Sequence, residues 1–287
     1  MKSYILAARP KTLPAAVVPV WVGCALAYHM TGSWDLPLAV YTVMGAVWIQ
    51  IATNFFNDAI DSEKGADTEA RLGPVRATAS GQLSVRVVYA VALVCLLIAS
   101  VFGWLLFQQR GWPILAIGVP SLYLCYGYTG GPLPLAYRGL GELFVILFFG
   151  VVAVTGTVFV QTGRWEPVAM AMGVAIGCLS AVLISINNLR DLDEDRSNEK
   201  NTLAVKWGRE KALVLLQVMT IIPYGITGFV FGLEQGLGYF IPALLLGLLI
   251  QWQVCRTSPG AVYNRFLALS ALQLLLYAAA IQIIVIL

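Results

Sequence analysis

Residues 36–67 read LPLAVYTVMGAVWIQIATNFFNDAIDSEKGAD, an apolar run that ends directly in carboxylates. The run is long enough to cross a bilayer, which takes about 20 mostly apolar residues in a helix. A second apolar run ends in the same way, in INNLRDLDEDRSNEK at residues 186–200. Because a carboxylate at the edge of a bilayer is costly, it is rare unless it has a function. Two such clusters, each opened by asparagine, predict one shared site at the ends of two membrane segments.

The composition indicates the class of protein. The chain has 287 residues, of which 59% are hydrophobic and 11% are charged, and its mean hydropathy is +0.79. A soluble globular protein carries about 25% charged residues. We therefore expect an all-α, polytopic membrane protein. The net charge of +3 is too small to indicate a nucleic-acid partner.

The apolar runs predict nine transmembrane helices in a bundle around a central cavity. Their extents are 13–31, 36–57, 84–107, 112–129, 140–161, 167–188, 211–232, 238–254 and 265–286. We expect one membrane-embedded domain over residues 1–287. Since each acidic cluster lies at the end of an even-numbered span, pseudo-repeat halves at about 1–135 and 136–287 are also expected.

The distribution of basic residues predicts the orientation of the bundle. With the N-terminus inside and the C-terminus outside, all but Arg110 and Arg164 of the 18 lysines and arginines fall in inside segments. Cytoplasmic loops carry such an excess of positive charge. Both acidic clusters then lie on the cytoplasmic side of the inner membrane, where we expect the cavity to open.

The spacing of the aspartates predicts a metal site. Asp58 and Asp61 are three residues apart and Asp191 and Asp195 are four apart, so each pair shares one helix face. Like charges this close repel unless a cation lies between them. Hard oxygen ligands suit Mg²⁺, which binds a few carboxylates together with a phosphate-bearing substrate. The neighbouring asparagine side chains are candidates to complete the shells or to orient the carboxylates, with Asn54 and Asn187 as metal ligands and Asn57 and Asn188 beside the diphosphate.

Basic residues near both clusters are candidate ligands for phosphate oxygens. They are Arg9, Arg76, Arg190 and Lys200. The alternative is topological, because cytoplasmic loops are basic in any case. For Arg190, between Asn188 and Asp191, we favour function because a charge at membrane depth needs a partner.

The segment YTGGPLPLAYRGLGE at residues 128–142 is a third candidate element. Its glycines and prolines predict a tight loop. Tyr128, Tyr137 and Glu142 could then reach the cavity mouth, and an aromatic ring there, with Tyr128 as the candidate, could shield an allylic cation. A plain turn with interfacial tyrosines is an equal alternative.

The chain resembles the UbiA superfamily of intramembrane aromatic prenyltransferases. The resemblance is carried by ARPKTLPAAVVPVWVG, NFFNDAIDSEKGAD, GPVRATASGQLS, YTGGPLPLAYRGLGE and NNLRDLDEDRSNEKNTLAVKWG, which span residues 8–208. These stretches are most similar to the branch that prenylates 1,4-dihydroxy-2-naphthoate. The chain departs from the general motif Asn-Asp-x-x-Asp-x-x-x-Asp because Gly65 takes the last position and Asp67 follows it.

The resemblance implies a reaction. A polyprenyl diphosphate would bind through two Mg²⁺ ions, with Asp58, Asp61, Asp191 and Asp195 as metal ligands, and would ionise to an allylic cation. The dihydroxynaphthoate ring would attack it with loss of CO₂ and diphosphate, giving a demethylmenaquinol. Hydroxybenzoate or homogentisate remain alternative acceptors. A cation-coupled transporter is an alternative from another class, although transporters usually bind substrate at the bilayer midplane.

Overall fold

The fold consists of helices only, in the part of the chain that the computed structural model describes: residues 2–65, 72–73, 76–232 and 236–286. The α-helices are α1 Lys2–Ala8, α2 Pro14–Thr31, α3 Leu36–Glu63, α4 Val85–Arg110, α5 Trp112–Gly127, α6 Gly141–Val145, α7 Ala153–Thr162, α8 Pro167–Arg190, α9 Leu192–Ser197, α10 Leu203–Phe231, α11 Ile241–Arg256 and α12 Tyr263–Ile286. A π-helical segment, Ile146–Val152, joins α6 to α7. The predicted all-α class is confirmed.

Eight helical stretches among these residues are long and apolar enough to cross a membrane. One of them is the continuous stretch Gly141–Thr162, made of α6, the π-helical segment and α7. A shorter apolar helix, Trp112–Gly127, lies where the sequence predicts the fourth span. Each predicted span thus corresponds to an apolar helix, and the crossing count of nine stays a prediction.

Helix α8 forms the centre of the bundle and is the most deeply buried of the candidate spans. It packs closely on the π-helical segment, where Gly150 faces Gly173 and Gly177. A Cβ atom on Gly177 would lie 2.8 Å from the Cα of Ile146. Small residues at such crossings let membrane helices approach each other. This contact holds α8, the helix that leads to the second acidic cluster, directly against the π-helical segment.

Three helix ends differ from the sequence-based boundaries. Helix α3 continues beyond residue 57 to Glu63, so the first cluster lies on its last two turns. Helix α8 ends at Arg190, and Asp191 lies at the junction with α9. Helix α10 begins at Leu203 and bends at Gly208, whose φ of 81° is left-handed and favours glycine. Each of these ends carries polar or charged residues, so hydropathy alone makes the helices too short: it ends α3 and α8 too early and begins α10 too late.

Candidate active site

One cavity of about 880 Å³ lies inside the bundle and receives both acidic clusters. Asp58 and Asp61 from α3 and Asp191 and Asp195 from the α8–α9 junction all line it. All four side chains are buried. The structure therefore brings together the two groups that the sequence places more than a hundred residues apart.

Asp58 holds the loop that follows α3. Its carboxylate accepts hydrogen bonds from the backbone N–H groups of Ala77 and Thr78, each at 3.1 Å, and from the Thr78 hydroxyl. Three hydrogen bonds to one carboxylate therefore tie this loop to the end of α3. In this structure, the residue predicted as a metal ligand also fixes the loop that carries Arg76.

Asp61, on α3, connects this helix to the loop that carries Arg76 and to the 128–142 segment. Its Oδ2 lies 2.7 Å from Nη2 of Arg76, and the Tyr137 hydroxyl donates to its Oδ1 at 2.9 Å. Lys64 Nζ lies 3.8 Å from the centroid of the Tyr137 ring and donates to the Thr129 carbonyl at 2.8 Å. Tyr137 thus contacts the first cluster directly: its hydroxyl bonds to Asp61, and its ring lies against Lys64.

Arg190 and Asp191 form a buried bidentate ion pair. The Nε and Nη2 atoms of Arg190 lie 2.6 Å from the two carboxylate oxygens of Asp191. Nη2 also donates to Asn187 Oδ1 at 2.9 Å, and Nη1 donates to Asn264 Oδ1 at 2.6 Å. Asn187, predicted as a metal ligand, here positions the ion pair, and its amide donates to Asp191 at 3.3 Å.

Lys200 lies between the two clusters. Its Nζ is 3.4 Å from Oδ1 of Asp195 and 5.7 Å from the centroid of the Tyr137 ring. Burial alone would lower the pKa of Lys200, but the carboxylates of Asp61, Asp195 and Asp191 together raise it. Burial raises the pKa of Asp195 to about 6, against the opposing charge of Lys200. The positive charge of Lys200 therefore offsets carboxylates from both motifs.

The cavity wall has a second cluster of polar side chains, which centres on Glu142 in the first turn of α6. Its Oε1 accepts from Asn188 Nδ2 at 2.9 Å and from the Ser185 hydroxyl at 3.5 Å. The hydroxyl of Tyr128 is buried, lines the cavity and has no hydrogen-bond partner among the described residues. Asn188, predicted to bind diphosphate, is thus bonded to Glu142.

The remaining predicted residues support the cavity from the first half of the chain. Asn54 donates to the Ala8 carbonyl at 2.9 Å and to the Thr12 hydroxyl at 3.0 Å. These bonds hold the segment that carries Arg9. Arg9 lines the cavity, and its backbone has a left-handed φ of 50°. Asn57 accepts from the Thr129 hydroxyl. Asp67 lies outside the described residues.

The rest of the cavity is mainly apolar and reaches the lipid-facing surface. Phe144 and Phe148 line it as stacked rings, with centroids 6.0 Å apart. Trp104 on α4 and Val119 on α5 also line it, and more than half of each residue is exposed. A long apolar ligand bound at the acidic end could therefore extend toward lipid between α4 and α5.

The donor chemistry of the acidic end fits Mg²⁺, because carboxylate and amide oxygens are its usual protein ligands. The buried Oδ2 of Asp195 has no hydrogen-bond partner among the described residues, which leaves it available as a ligand. No group of three histidine, cysteine or acidic residues is arranged around a common point in the described ranges. Asp61, Asp191 and Asp195 are paired with protein cations instead.

Sequence reasoning missed several partners of the site. Thr78 lies two residues after Arg76, and Lys64 lies three residues after Asp61, so their closeness in sequence to predicted site residues could have identified both. Asn264, which holds Arg190, comes from the start of α12 and had none. Contacts between distant helices of this kind depend on how the bundle packs.

Comparisons with known proteins agree with this architecture. Residues 16–281 match the UbiA prenyltransferase family. The 1,4-dihydroxy-2-naphthoate octaprenyltransferase of Mycobacterium tuberculosis is 36% identical over 229 residues, which cover 79% of this chain and 77% of that protein. The enzyme of the same name from Bacillus subtilis is 34% identical over 216 residues, covering 75% of this chain and 69% of that protein.

A solved structure has the same fold. The UbiA homologue from Archaeoglobus fulgidus bound to DMAPP and Mg²⁺ superposes with a TM-score of 0.68 at 18% identity, covering 97% of this chain and 99% of that one. The family match spans most of the chain, and the two named relatives are prenyltransferases. The chain therefore belongs to the UbiA prenyltransferase family and is a membrane-embedded prenyltransferase.

Proposed function

We propose that this enzyme transfers a polyprenyl group from a polyprenyl diphosphate to 1,4-dihydroxy-2-naphthoate, with loss of CO₂ and diphosphate. The product is a demethylmenaquinol, an intermediate of menaquinone biosynthesis. The observation that carries the proposal is a cavity lined at one end by four aspartates with their cations and elsewhere mainly by apolar side chains. The names of the relatives support the choice of acceptor.

The four aspartates Asp58, Asp61, Asp191 and Asp195 would hold two Mg²⁺ ions, with Asn54 and Asn187 beside them. When bound, Mg²⁺ would offset the negative charge that develops on the departing diphosphate. The Mg²⁺ and DMAPP in the A. fulgidus homologue support a metal-dependent site of this kind.

The cations that now pair with the aspartates are the groups we assign to the diphosphate. Arg76, Arg190 and Lys200 each lie within 3.4 Å of a carboxylate oxygen of this site. Arginine and lysine bind phosphate oxygens as readily as carboxylates. On loading, each cation would exchange its carboxylate for a diphosphate oxygen, which frees the carboxylates for metal. Arg9, Asn57 and Asn188 would complete the diphosphate pocket.

The apolar part of the cavity would hold the prenyl chain and keep water from the allylic cation. Phe144 and Phe148 line this part, and Tyr128 also lines the cavity. Aromatic faces stabilise a nearby cation. The route past Trp104 and Val119 would let the distal isoprene units lie in the bilayer. The excess of basic residues at the acidic end favours the cytoplasmic face of the inner membrane for the site.

Turnover by the purified enzyme tests the proposal. Protein in detergent micelles is given geranyl diphosphate, Mg²⁺ and a panel of 1,4-dihydroxy-2-naphthoate, 4-hydroxybenzoate and homogentisate, with products identified by mass spectrometry. We expect a prenylated, decarboxylated naphthalene product. The Asp191→Asn variant should lose this activity, whereas Asp193→Asn should keep it because that side chain is 85% exposed. Prenylation of another acceptor in preference to the naphthoate would contradict the proposal.

A further inference from the structure

Several buried polar atoms of the cavity wall have no hydrogen-bond partner among the described residues. Among them are the hydroxyl oxygens of Tyr128 and Ser180 and the Oε2 atom of Glu142. Nearly all buried polar groups in native proteins are hydrogen-bonded, so unsatisfied atoms need an explanation. A ligand with oxygen substituents would satisfy them, and an aromatic diol has such groups.

Glu142 is held so that one of its oxygens stays available. The side chain is 4% exposed, and the bonds from Asn188 and Ser185 fix Oε1 while Oε2 remains without a partner. The preceding residue, Gly141, lets the Tyr128 hydroxyl approach α6, because a Cβ there would lie 2.8 Å from this oxygen. The carboxylate and the tyrosine hydroxyl therefore occupy the same stretch of the cavity wall.

We propose that Glu142 accepts the proton of the acceptor's ring hydroxyl, and that Tyr128 and Ser180 bind the acceptor beside it. This inference rests on the proposed function. The negative charge of Glu142 also orients the acceptor, because it attracts a hydroxyl donor and repels the acceptor's carboxylate. The carboxylate is then directed away from Glu142, toward the cations of the diphosphate pocket.

The proton transfer activates the ring without net proton release. The hydroxyl O–H bond breaks, its proton passes to Oε2, and the electron pair on oxygen strengthens the attack of the carboxylate-bearing ring carbon on the prenyl group. The new C–C bond forms as the C–O bond to diphosphate breaks. The bond to the carboxylate then breaks, CO₂ leaves, the electron pair returns to the ring, and Glu142 returns the proton to the oxygen. General bases contribute about 10²–10⁴-fold to rates.

The titratable neighbours of Glu142 are few among the described residues. Tyr128 faces it from the end of α5, while α8 contributes the neutral groups of Ser185 and Asn188. Tyr137, on the turn packed against α6, directs its hydroxyl to Asp61 instead. A change in the pH dependence of acceptor turnover on substitution of Glu142 can therefore be assigned to this carboxylate.

The test is the Glu142→Gln variant, which keeps the shape of the side chain and removes its basicity. With geranyl diphosphate, Mg²⁺ and 1,4-dihydroxy-2-naphthoate, we expect kcat at neutral pH to fall about 10²–10⁴-fold. The KM for the donor should be unchanged, and the loss should shrink at alkaline pH, where the acceptor hydroxyl ionises in solution. Glu210→Gln, the same change on the exposed face of α10, is the control and should behave as wild type.

The outcomes separate the two proposals. If the wild-type enzyme makes no prenylated naphthalene, the proposed function fails and this inference fails with it. If the wild type is active and Glu142→Gln keeps its kcat, or loses it equally at every pH, only the role of Glu142 is overturned. Should Glu142→Gln not fold, Tyr128→Phe serves as the second variant, with an expected rise in the acceptor KM and no change in the donor KM.

Discussion

Replacing Arg190 by methionine should destabilise the protein strongly, because it leaves a buried carboxylate without its partner. Arg190 is 1% exposed and Asp191 4% exposed, and their bidentate bonds are both 2.6 Å long. Removing one partner of such a pair costs about 3–5 kcal/mol. The same change also removes the hydrogen bonds that Arg190 donates to Asn187 and Asn264.

Thermal unfolding in detergent micelles, followed by circular dichroism, measures the effect. A loss of 1 kcal/mol lowers Tm by about 2–4 °C in chains of about 150–250 residues. With about 2 °C for each kcal/mol, a loss of about 3–5 kcal/mol means that the Arg190→Met variant should unfold about 6–10 °C below wild type.

A matched control exists six residues further along the chain. Arg196 pairs with Asp193 at 3.9 Å, but the two side chains are 58% and 85% exposed. Exposed ion pairs contribute about 0–1 kcal/mol, so Arg196→Met should change Tm by no more than about 2 °C. The contrast between the two arginines isolates the contribution of burial.

A double variant separates stability from catalysis. Replacing both partners of a buried ion pair by apolar residues is often neutral, so Arg190→Met with Asp191→Leu should recover much of the lost stability. It should remain inactive, because both the proposed metal ligand and the proposed phosphate ligand are gone. If Arg190→Met unfolds within about 2 °C of wild type, or if the double variant is less stable than the single one, the buried ion pair does not contribute as expected.

Three further predictions concern other parts of the molecule. Removing Mg²⁺ with EDTA should abolish turnover, and added Mg²⁺ should restore it. Gly118 lines the cavity, and a Cβ atom there would meet no atom within 4 Å, so Gly118→Phe should fill part of the cavity. This variant should reduce turnover of long prenyl donors more than turnover of geranyl diphosphate. Gly225→Phe, on the exposed side of α10, should change neither rate. Gly177→Ala should lower stability by about 1–3 kcal/mol, measured as Tm, because the added Cβ meets the Ile146 backbone.

The sequence by itself determined the class of protein, the apolar helices and the location of both acidic motifs. These features depend on local hydrophobicity, which a membrane imposes on every residue of a span. Asp58 and Asp61 follow one apolar run and Asp191 and Asp195 follow another, so their positions at helix ends could be predicted. The end of α3 at Glu63 could not, because hydropathy assigns these polar turns to a loop.

Only the tertiary structure decided which groups meet. Tyr137 bonds to Asp61 across 76 positions of sequence, and Arg190 bonds to Asn264 across 74. No local pattern specifies such partners, because they depend on how closely the helices pack. The glycine contact between α8 and the π-helical segment is one such close approach, and Asn188 and Arg190 line the cavity from the same helix.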